Sequence, residues 1–212
     1  MFITFEGIEG SGKSLQVEMS AAYLERKGVR CLVTREPGGT QFGTAVRRIL
    51  LDAEGPQRDP LSELLLYLAD RHQHLQEVIR PALHEGITVL SDRYHDATRA
   101  YQGGARGVDP ELIDGLAHML GIRDPDKTLL LDLDPQTALG RARSRNESGG
   151  RLLAEGRFEA EDLAFHRAVR RAYLDLARRF PRRIHVVDGT GSPEAVFERI
   201  RLLLDEWLPP PS

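Results

Sequence analysis

The stretch Gly7-Ile8-Glu9-Gly10-Ser11-Gly12-Lys13-Ser14 decides the fold of this chain, because it matches the phosphate-loop pattern G-x-x-x-x-G-K-[ST]. It follows a short apolar run, Phe2–Glu6, and precedes a segment with helical spacing at residues 15–27. Strand, loop and helix in this order are the context that the motif requires. A chance match in a chain of this length has a probability on the order of one per cent. The structural alternative is a glycine-rich hairpin turn.

Each residue type in the loop suits phosphate binding. Glycines let successive backbone amides turn inward around phosphate oxygens, and the helix N-terminus adds about half a positive charge. All eight loop residues are therefore candidate ATP ligands, with Lys13 bridging the β- and γ-phosphates and Ser14 ligating Mg²⁺. The chain contains 26 arginines and three lysines, yet it has a lysine here, where a compact ammonium fits better than a planar guanidinium.

Five short apolar runs alternate with segments of helical spacing along the rest of the chain. The runs cover residues 2–6, 30–34, 87–91, 128–133 and 184–188, and predicted helices cover 15–27, 60–85, 110–120, 135–145, 158–179 and 193–208. Continuous apolar runs of this length are typical of buried parallel strands. We therefore predict an α/β fold of the P-loop NTPase type, three-layered and doubly wound, with a five-stranded parallel sheet flanked by helices. We also predict that a single domain spans residues 1–212.

Composition restricts the possible partners. The net charge of −3 argues against an extended nucleic-acid-binding surface. The N-terminus has no basic region followed by a long apolar stretch, and no window approaches the roughly 18 apolar residues that span a bilayer. We expect a cytoplasmic protein with no nucleic-acid or membrane partner.

Two polar segments are predicted to contribute to function rather than to the supporting fold. Residues 35–44 form a glycine- and threonine-rich stretch, predicted to be a loop. Residues 141–157 carry five arginines and the sequence Ser148-Gly149-Gly150, and they contain too little apolar surface to pack firmly. The second segment is predicted to be a mobile, arginine-rich lid; a merely solvated basic loop is the alternative.

Asp92 and Arg93 follow the third apolar run, where ligands of open α/β sheets bind. Asp92 is suited to hold Mg²⁺ through water, and Arg93 to grip a phosphate through two parallel N–H bonds. A surface ion pair at the strand end is the alternative.

Four motifs together resemble the bacterial thymidylate kinase family over residues 2–207. They are the phosphate loop with its preceding Phe5-Glu6, then Arg35-Glu36-Pro37-Gly38-Gly39-Thr40, Asp92-Arg93-Tyr94 and Ala100-Tyr101-Gln102-Gly103. The resemblance implies transfer of a phosphoryl group from ATP to dTMP in the presence of Mg²⁺. It also implies a homodimer.

The resemblance assigns the base and sugar contacts. Tyr67, where the family usually has Phe, would stack on thymine, and Arg71 would donate to its carbonyl. Thr98 and Gln102 match positions that approach the base edge, and Tyr101 matches the residue that favours deoxyribose.

The resemblance also assigns the phosphate contacts and the catalytic arginine. Glu9 would accept from the 3′-hydroxyl, Arg93 and Arg47 would bind the acceptor phosphate, and Glu36 would orient these two arginines. Because the loop has Gly10 where some family members have Arg, the chain resembles the version whose lid supplies the catalytic arginine. Arg145 is the first candidate, followed by Arg157 and Arg151.

Two alternatives stay open at this point. One is a P-loop kinase for another nucleoside monophosphate. The other is a nucleotide-dependent switch without turnover, since a phosphate loop alone indicates a nucleotide and not a reaction.

Overall fold

The protein is built on a five-stranded, all-parallel sheet. The structure, a computed structural model, describes residues 1–149, 157, 158 and 160–208, without the side chains of Arg143 and residues 145–149. The strands are β1 (Phe2–Glu6), β2 (Cys31–Arg35), β3 (Thr88–Asp92), β4 (Lys127–Asp132) and β5 (Ile184–Asp188), in the order β2-β3-β1-β4-β5. The predicted fold class is confirmed, and each predicted strand lies within one residue of an observed one.

Helices connect successive strands. They are α1 (Lys13–Arg26), α2 (Gln41–Leu51), α3 (Pro60–His74), α4 (Arg80–His84), α5 (His95–Thr98), α6 (Pro110–Met119), α7 (Pro135–Gly149), α8 (Leu163–Arg179) and α9 (Pro193–Trp207). Two π-helical segments, Leu75–Ile79 and Arg99–Ala105, continue α3 and α5. The core packs on both faces of the sheet: α1 and α9 cover one face, and the α3–α4 region, α6 and α8 contribute to the other.

Two sequence predictions need correction. The segment 35–44 is not entirely a loop, because α2 begins at Gln41 and its N-cap Thr40 accepts a hydrogen bond from the Gly43 amide at 2.8 Å. The predicted helix 60–85 is interrupted by the π-helical segment just before Pro81, which lacks an amide hydrogen to continue the ladder. The predicted lid segment shares residues 141–149 with α7, which extends to Gly149, and the lid itself stays a prediction.

The parallel register brings the chemically active residues to one edge of the sheet. β1 pairs with β3 so that Phe5 lies beside Asp92, and with β4 so that Glu6 lies beside Leu130. The phosphate loop leaves the end of β1, and Arg93 leaves the end of β3. Since β1 is central, these two segments are neighbours in space.

Candidate active site

The phosphate loop closes around the side chain of Lys13. Its Nζ donates to the Ile8 carbonyl at 2.8 Å and to Ser11 Oγ at 3.3 Å. Burial lowers the pKa of Lys13 to about 8, and Arg93 acts in the same direction, while the carboxylates of Asp92 and Glu9 oppose the change. The lysine is thus held inside the loop rather than extended into solvent.

Helix α7 lies directly against the loop at Gly10. This glycine has φ 76°, and a Cβ built on it would lie 1.9 Å from the Ala138 carbonyl oxygen. No larger residue fits there unless α7 moves. The absence of an arginine at this loop position therefore has a steric reason in the packing of this chain.

Ser14 and Asp92 come together at the mouth of the loop. The Ser14 hydroxyl donates to Asp92 Oδ2 at 2.5 Å. A hydroxyl and a carboxylate are the hard oxygen ligands that Mg²⁺ prefers, and this ion commonly takes only one or two protein ligands beside phosphate oxygens. The donor set fits the predicted metal. Within the described part of the chain, no cluster of three or more His, Cys, Asp or Glu residues could hold a metal elsewhere.

Arg93 links the phosphate loop to the acceptor side. It adopts φ 70°, and its Nη1 donates to the Gly7 carbonyl at 2.9 Å. Its Nη2 donates to Glu9 Oε1 at 2.8 Å and to the Tyr101 hydroxyl at 3.1 Å. Tyr101 in turn donates to the Glu9 carboxylate at 2.7 Å. Burial alone would raise the pKa of Glu9, but the charges of Arg93 and Lys13 outweigh it, so this pKa is lowered.

Behind this cluster lie two residues that the sequence did not mark as functional, Glu6 and Tyr173. Arg93 Nη1 donates to the Tyr173 hydroxyl at 3.2 Å, and this hydroxyl donates to Glu6 Oε2 at 2.7 Å. Tyr173 belongs to α8, in a stretch of sequence that carries none of the four motifs. The buried stripe His166, Val169, Tyr173 and Ala177 was the available signal, since its spacing is that of one helix face.

His166 is the third residue that sequence reasoning missed. It has no exposed surface, and its Nδ1 lies 3.6 Å from Glu9 Oε2. Neither ring nitrogen has a hydrogen-bonding partner among the residues that the structure describes.

Arg71 forms the floor of the predicted base pocket. It is 1 % exposed; its Nε donates to Glu36 Oε2 at 2.7 Å and its Nη1 to Thr98 Oγ1 at 2.8 Å. Its Nη2 donates to the Tyr94 carbonyl at 3.0 Å, which leaves one Nη2 hydrogen with no partner among the described residues. The structure thus brings Arg71 and Thr98 together as the assignment requires.

Glu36 was predicted to orient Arg93 and Arg47, and this prediction is wrong because Glu36 has other partners. Its second oxygen, Oε1, contacts His74 Nδ1 at 2.8 Å, so both oxygens are taken by residues of α3 rather than by Arg93 or Arg47. The reason is topological: Glu36 follows β2 and faces α3, whereas the carboxylate beside Arg93 is Glu9. Arg47 lies on α2, and its Nη1 donates to the Pro37 carbonyl at 2.9 Å.

Gln102 and the lid residue Arg157 meet at a buried carboxylate. Glu63 Oε1 accepts from Gln102 Nε2 at 2.8 Å, and Glu63 Oε2 pairs with Arg157 Nη2 at 2.6 Å. Tyr67 is half-buried between this pair and the Arg93 cluster. Burial raises its pKa, as do the nearby Glu63 and Glu9 carboxylates. Arg157 therefore lies beside the predicted base pocket. The side chain of Arg145 and all of Arg151 lie outside the described residues.

Comparison with known proteins agrees with this geometry. The family model described as thymidylate kinase matches residues 5–200. A thymidylate kinase of Nitratidesulfovibrio vulgaris (strain DP4) is 53% identical over 201 residues, covering 94% of this chain and 90% of the relative. That of Desulfosudis oleivorans is 50% identical over 206 residues, covering 97% and 96%.

A solved structure is similar as well. The crystal structure of thymidylate kinase from Ehrlichia chaffeensis has a TM-score of 0.77 and 35% identity, covering 96% of this chain and 98% of that one. Since the family model, the curated relatives and the solved structure all match nearly the whole chain, the resemblance found in the sequence is confirmed. The chain belongs to the thymidylate kinase family.

Proposed function

We propose that this protein transfers the γ-phosphoryl group of ATP to dTMP, giving ADP and dTDP. The observation that carries the proposal is the contact of Arg93 with both Gly7 and Glu9 of the phosphate loop. The contact supports the proposal because the Arg93 guanidinium, which can donate two parallel hydrogen bonds to a phosphate, lies beside the loop that would hold the donor phosphates. A donor and an acceptor held in this way are neighbours, as direct transfer requires.

Different residues hold the donor and the acceptor phosphates. Lys13 and the loop amides hold the donor, and Arg93 and Arg47 hold the acceptor. An acceptor oxygen attacks the γ-phosphorus, the bond from that phosphorus to the bridging oxygen of ADP breaks, and the electron pair leaves with ADP. No strong general base is needed, because a phosphate monoester with a second pKa of about 6 is already mostly ionised at neutral pH.

Glu9 occupies an anion-binding position on Arg93. The guanidinium already donates to Glu9, Tyr101, Tyr173 and the Gly7 carbonyl. An acceptor phosphate that takes a bond from Nη2 displaces an oxygen of Glu9 or Tyr101. The freed Glu9 carboxylate is then available to accept from the sugar 3′-hydroxyl, with Tyr101 packed beside the sugar.

The base would bind in a pocket beside α3, which we call the α3 pocket. Arg71 and Thr98 lie at one end of it, and Gln102 lies at the other. Tyr67 offers a ring face for stacking, Arg71 offers its remaining Nη2 hydrogen to a carbonyl, and Thr98 and Gln102 flank the base edge. Contacts with the pyrimidine ring select thymine more strongly than its methyl group does, since one methyl contributes only about 1–3 kcal/mol. Some turnover of dUMP is expected.

Ser14 and Asp92 would hold Mg²⁺ beside the donor phosphates. When bound, the ion neutralises charge on the phosphate oxygens. Arg145 remains our first candidate for the lid arginine, because Arg157 is paired with Glu63 on the base side.

The homodimer is also proposed. Exposed apolar side chains lie at helical spacing on α2, at Phe42 and Ile49, and on α3, at Leu61 and Leu65. Helices α2 and α3 pack together, so these residues provide an apolar surface for a second copy. No helix in the described ranges is long and apolar enough to cross a membrane. A cytoplasmic location and the lack of a nucleic-acid partner stay predictions.

Coupled ADP release with a panel of monophosphates tests the substrate. We expect kcat/KM to be greatest with dTMP, lower with dUMP, and much lower with UMP and GMP. Greatest activity on UMP or GMP would overturn the assignment.

Thermal unfolding separates the enzyme from a nucleotide-dependent switch. A ligand that binds only the folded state raises the melting temperature by mass action. Millimolar dTMP should raise it. A shift with GTP alone, and none with dTMP, would favour the switch.

A further inference from the structure

A buried carboxylate next to the base pocket has no place in the transfer chemistry. Glu63, near the start of α3, is 1 % exposed. Its Oε1 accepts from Gln102 Nε2 at 2.8 Å and lies 3.8 Å from Arg106 Nε. Its Oε2 lies 2.6 Å from Arg157 Nη2. Two guanidinium groups therefore lie beside this buried carboxylate.

The position of Glu63 relates it to the base contacts. Glu63, Tyr67 and Arg71 follow each other at intervals of four, so they share one face of α3. Their partners Thr98 and Gln102 are also four residues apart, on α5 and the π-helical segment after it. Arg71 bonds Thr98 at one end, and Glu63 bonds Gln102 at the other, each at 2.8 Å. Tyr67 lies between these two cross-links.

The carboxylate determines which end of the Gln102 amide faces Glu63. An ionised carboxylate only accepts hydrogen bonds, so the NH₂ group of the amide must point toward it. The carbonyl oxygen, Oε1, then points away from Glu63. It accepts no hydrogen bond from any of the described residues, and it is not among the fully enclosed polar atoms without a partner. The pocket therefore presents an acceptor at this position.

We propose that Glu63 is a positioning residue for base specificity. It locks the Gln102 amide with Oε1 toward the base, so that the site accepts a pyrimidine whose N3 carries a hydrogen. Thymine and uracil have this hydrogen, whereas N3 of cytosine is an acceptor. A cytosine base would bring two acceptors together and leave both without a donor, which is costly in a desolvated pocket. The proposal rests on the proposed function, because it concerns the acceptor base of that reaction.

The test compares kcat/KM for dTMP, dUMP and dCMP in the wild-type protein and in Glu63→Gln. A neutral amide at position 63 both donates and accepts, so the Gln102 amide can turn and present its NH₂ group to the base. We expect kcat/KM to fall for dTMP and dUMP and to rise for dCMP. The dTMP-to-dCMP ratio should fall by at least about tenfold, as expected when a pocket loses a fixed hydrogen-bonding pattern.

Glu161→Gln is the matched control. Glu161 also pairs with Arg106, but it forms no described contact with Gln102. Its replacement should leave the ratio within about twofold of wild type. A purely structural role for Glu63 would lower turnover of all three substrates equally, without changing the ratio.

The outcomes separate the two proposals. A wild-type protein that does not phosphorylate dTMP contradicts the proposed function. A wild type active on dTMP, together with a folded E63Q variant of unchanged dTMP-to-dCMP ratio, overturns the role of Glu63. If E63Q does not stay folded at the assay temperature, Glu63→Met is tested in its place. This variant removes the hydrogen bond to the Gln102 amide without adding charge. The same fall in the ratio is then expected, and an unchanged ratio overturns the proposal.

Discussion

At the residue scale, the most unusual ionisable group beside the phosphate loop is Glu6, the last residue of β1. It has no exposed surface and accepts from the Tyr94 amide at 2.8 Å and from the Tyr173 hydroxyl. Burial raises the pKa of Glu6 from 4.5 to about 7, with Asp96 acting in the same direction, although Arg93 and the two hydrogen bonds oppose the change.

This pKa predicts a pH dependence of stability. Between about pH 4.5 and 7 the folded protein keeps a proton on Glu6 that the unfolded chain has lost. The folded state then binds more protons, so this group makes the free energy of unfolding fall as pH rises through that window. Glu6→Gln should remove this fall, which is on the order of 3 kcal/mol.

Urea unfolding at pH 5 and pH 8 measures the effect. The exposed Glu198→Gln variant serves as the control and should keep the wild-type difference between the two pH values. If E6Q shows that same difference, Glu6 is not the titrating group.

Some residues of the site could be predicted from the sequence, and others could not. Lys13, Ser14, Asp92 and Arg93 were identified because a motif or a strand end marks them. Glu6 and Tyr173 were missed because each belongs to a regular element, and their contact joins positions 167 residues apart. The partners of Glu36 were misassigned for a related reason: which arginine faces a carboxylate depends on helix placement, not on a local pattern.

At the element scale, the contact between the phosphate loop and α7 determines the shape of the donor site. Gly10 and Gly12 both have positive φ, 76° and 94°, so a side chain strains the backbone at either position. Their surroundings differ. A Cβ at Gly10 would meet the Ala138 carbonyl at 1.9 Å, whereas a Cβ at Gly12 would meet nothing within 4 Å.

This difference predicts the stability of two matched variants. Gly10→Ala must displace α7, and overpacking of this kind costs about 1–3 kcal/mol beyond the backbone strain. We expect its melting temperature to lie at least about 3 °C below that of Gly12→Ala. Differential scanning calorimetry measures both. Equal melting temperatures would show that α7 does not restrict the loop.

Helix α7 also carries the candidate catalytic arginine. Arg145→Ala should lower kcat on the order of a thousandfold while leaving the Kd for dTMP nearly unchanged, because an arginine finger stabilises charge that develops during transfer. Arg157→Ala is the informative comparison, since its loss breaks the contact with Glu63 and should weaken dTMP binding more. Loss of dTMP binding in R145A, with kcat retained, would contradict the role.

Sequence patterns predicted the positions of strands and helices more accurately than the residues at which they begin and end. The strands were predicted closely because apolar runs of five or six residues are distinctive in a buried parallel sheet. α2 was missed because Gly38, Gly39 and Thr40 suggested a continuing loop, although Thr40 is its N-cap. α8 begins at Leu163 rather than at residue 158, because Asp162 caps it by accepting from the Phe165 amide at 2.7 Å.

At the scale of the whole molecule, the apolar surface on α2 and α3 predicts a dimer. Leu65 is 50 % exposed and lies one turn from Leu61 on the same helix. Leu65→Glu places a charge in that surface and should yield a monomer, whereas the wild type is expected to sediment at twice the chain mass of 23.7 kDa. Leu202→Glu on α9, where the leucine is 63 % exposed, is the control and should remain dimeric. A wild type that is monomeric at every concentration in sedimentation equilibrium rejects this interface.

The strand order β2-β3-β1-β4-β5 unites the two halves of the site. No local pattern encodes that order, which follows from how helices cover both faces of the sheet. Because β1 lies between β3 and β4, the phosphate loop has Asp92 and Arg93 on one side and α7 on the other. The α3 pocket then extends from Arg93 toward Gln102.

A crystal structure with dTMP and a non-hydrolysable ATP analogue tests this arrangement most directly. We expect the triphosphate inside the residue 7–14 loop, the monophosphate on Arg93, and the thymine ring on Tyr67 between Arg71 and Gln102. A monophosphate bound anywhere other than the crevice between Arg93 and α3 would contradict it.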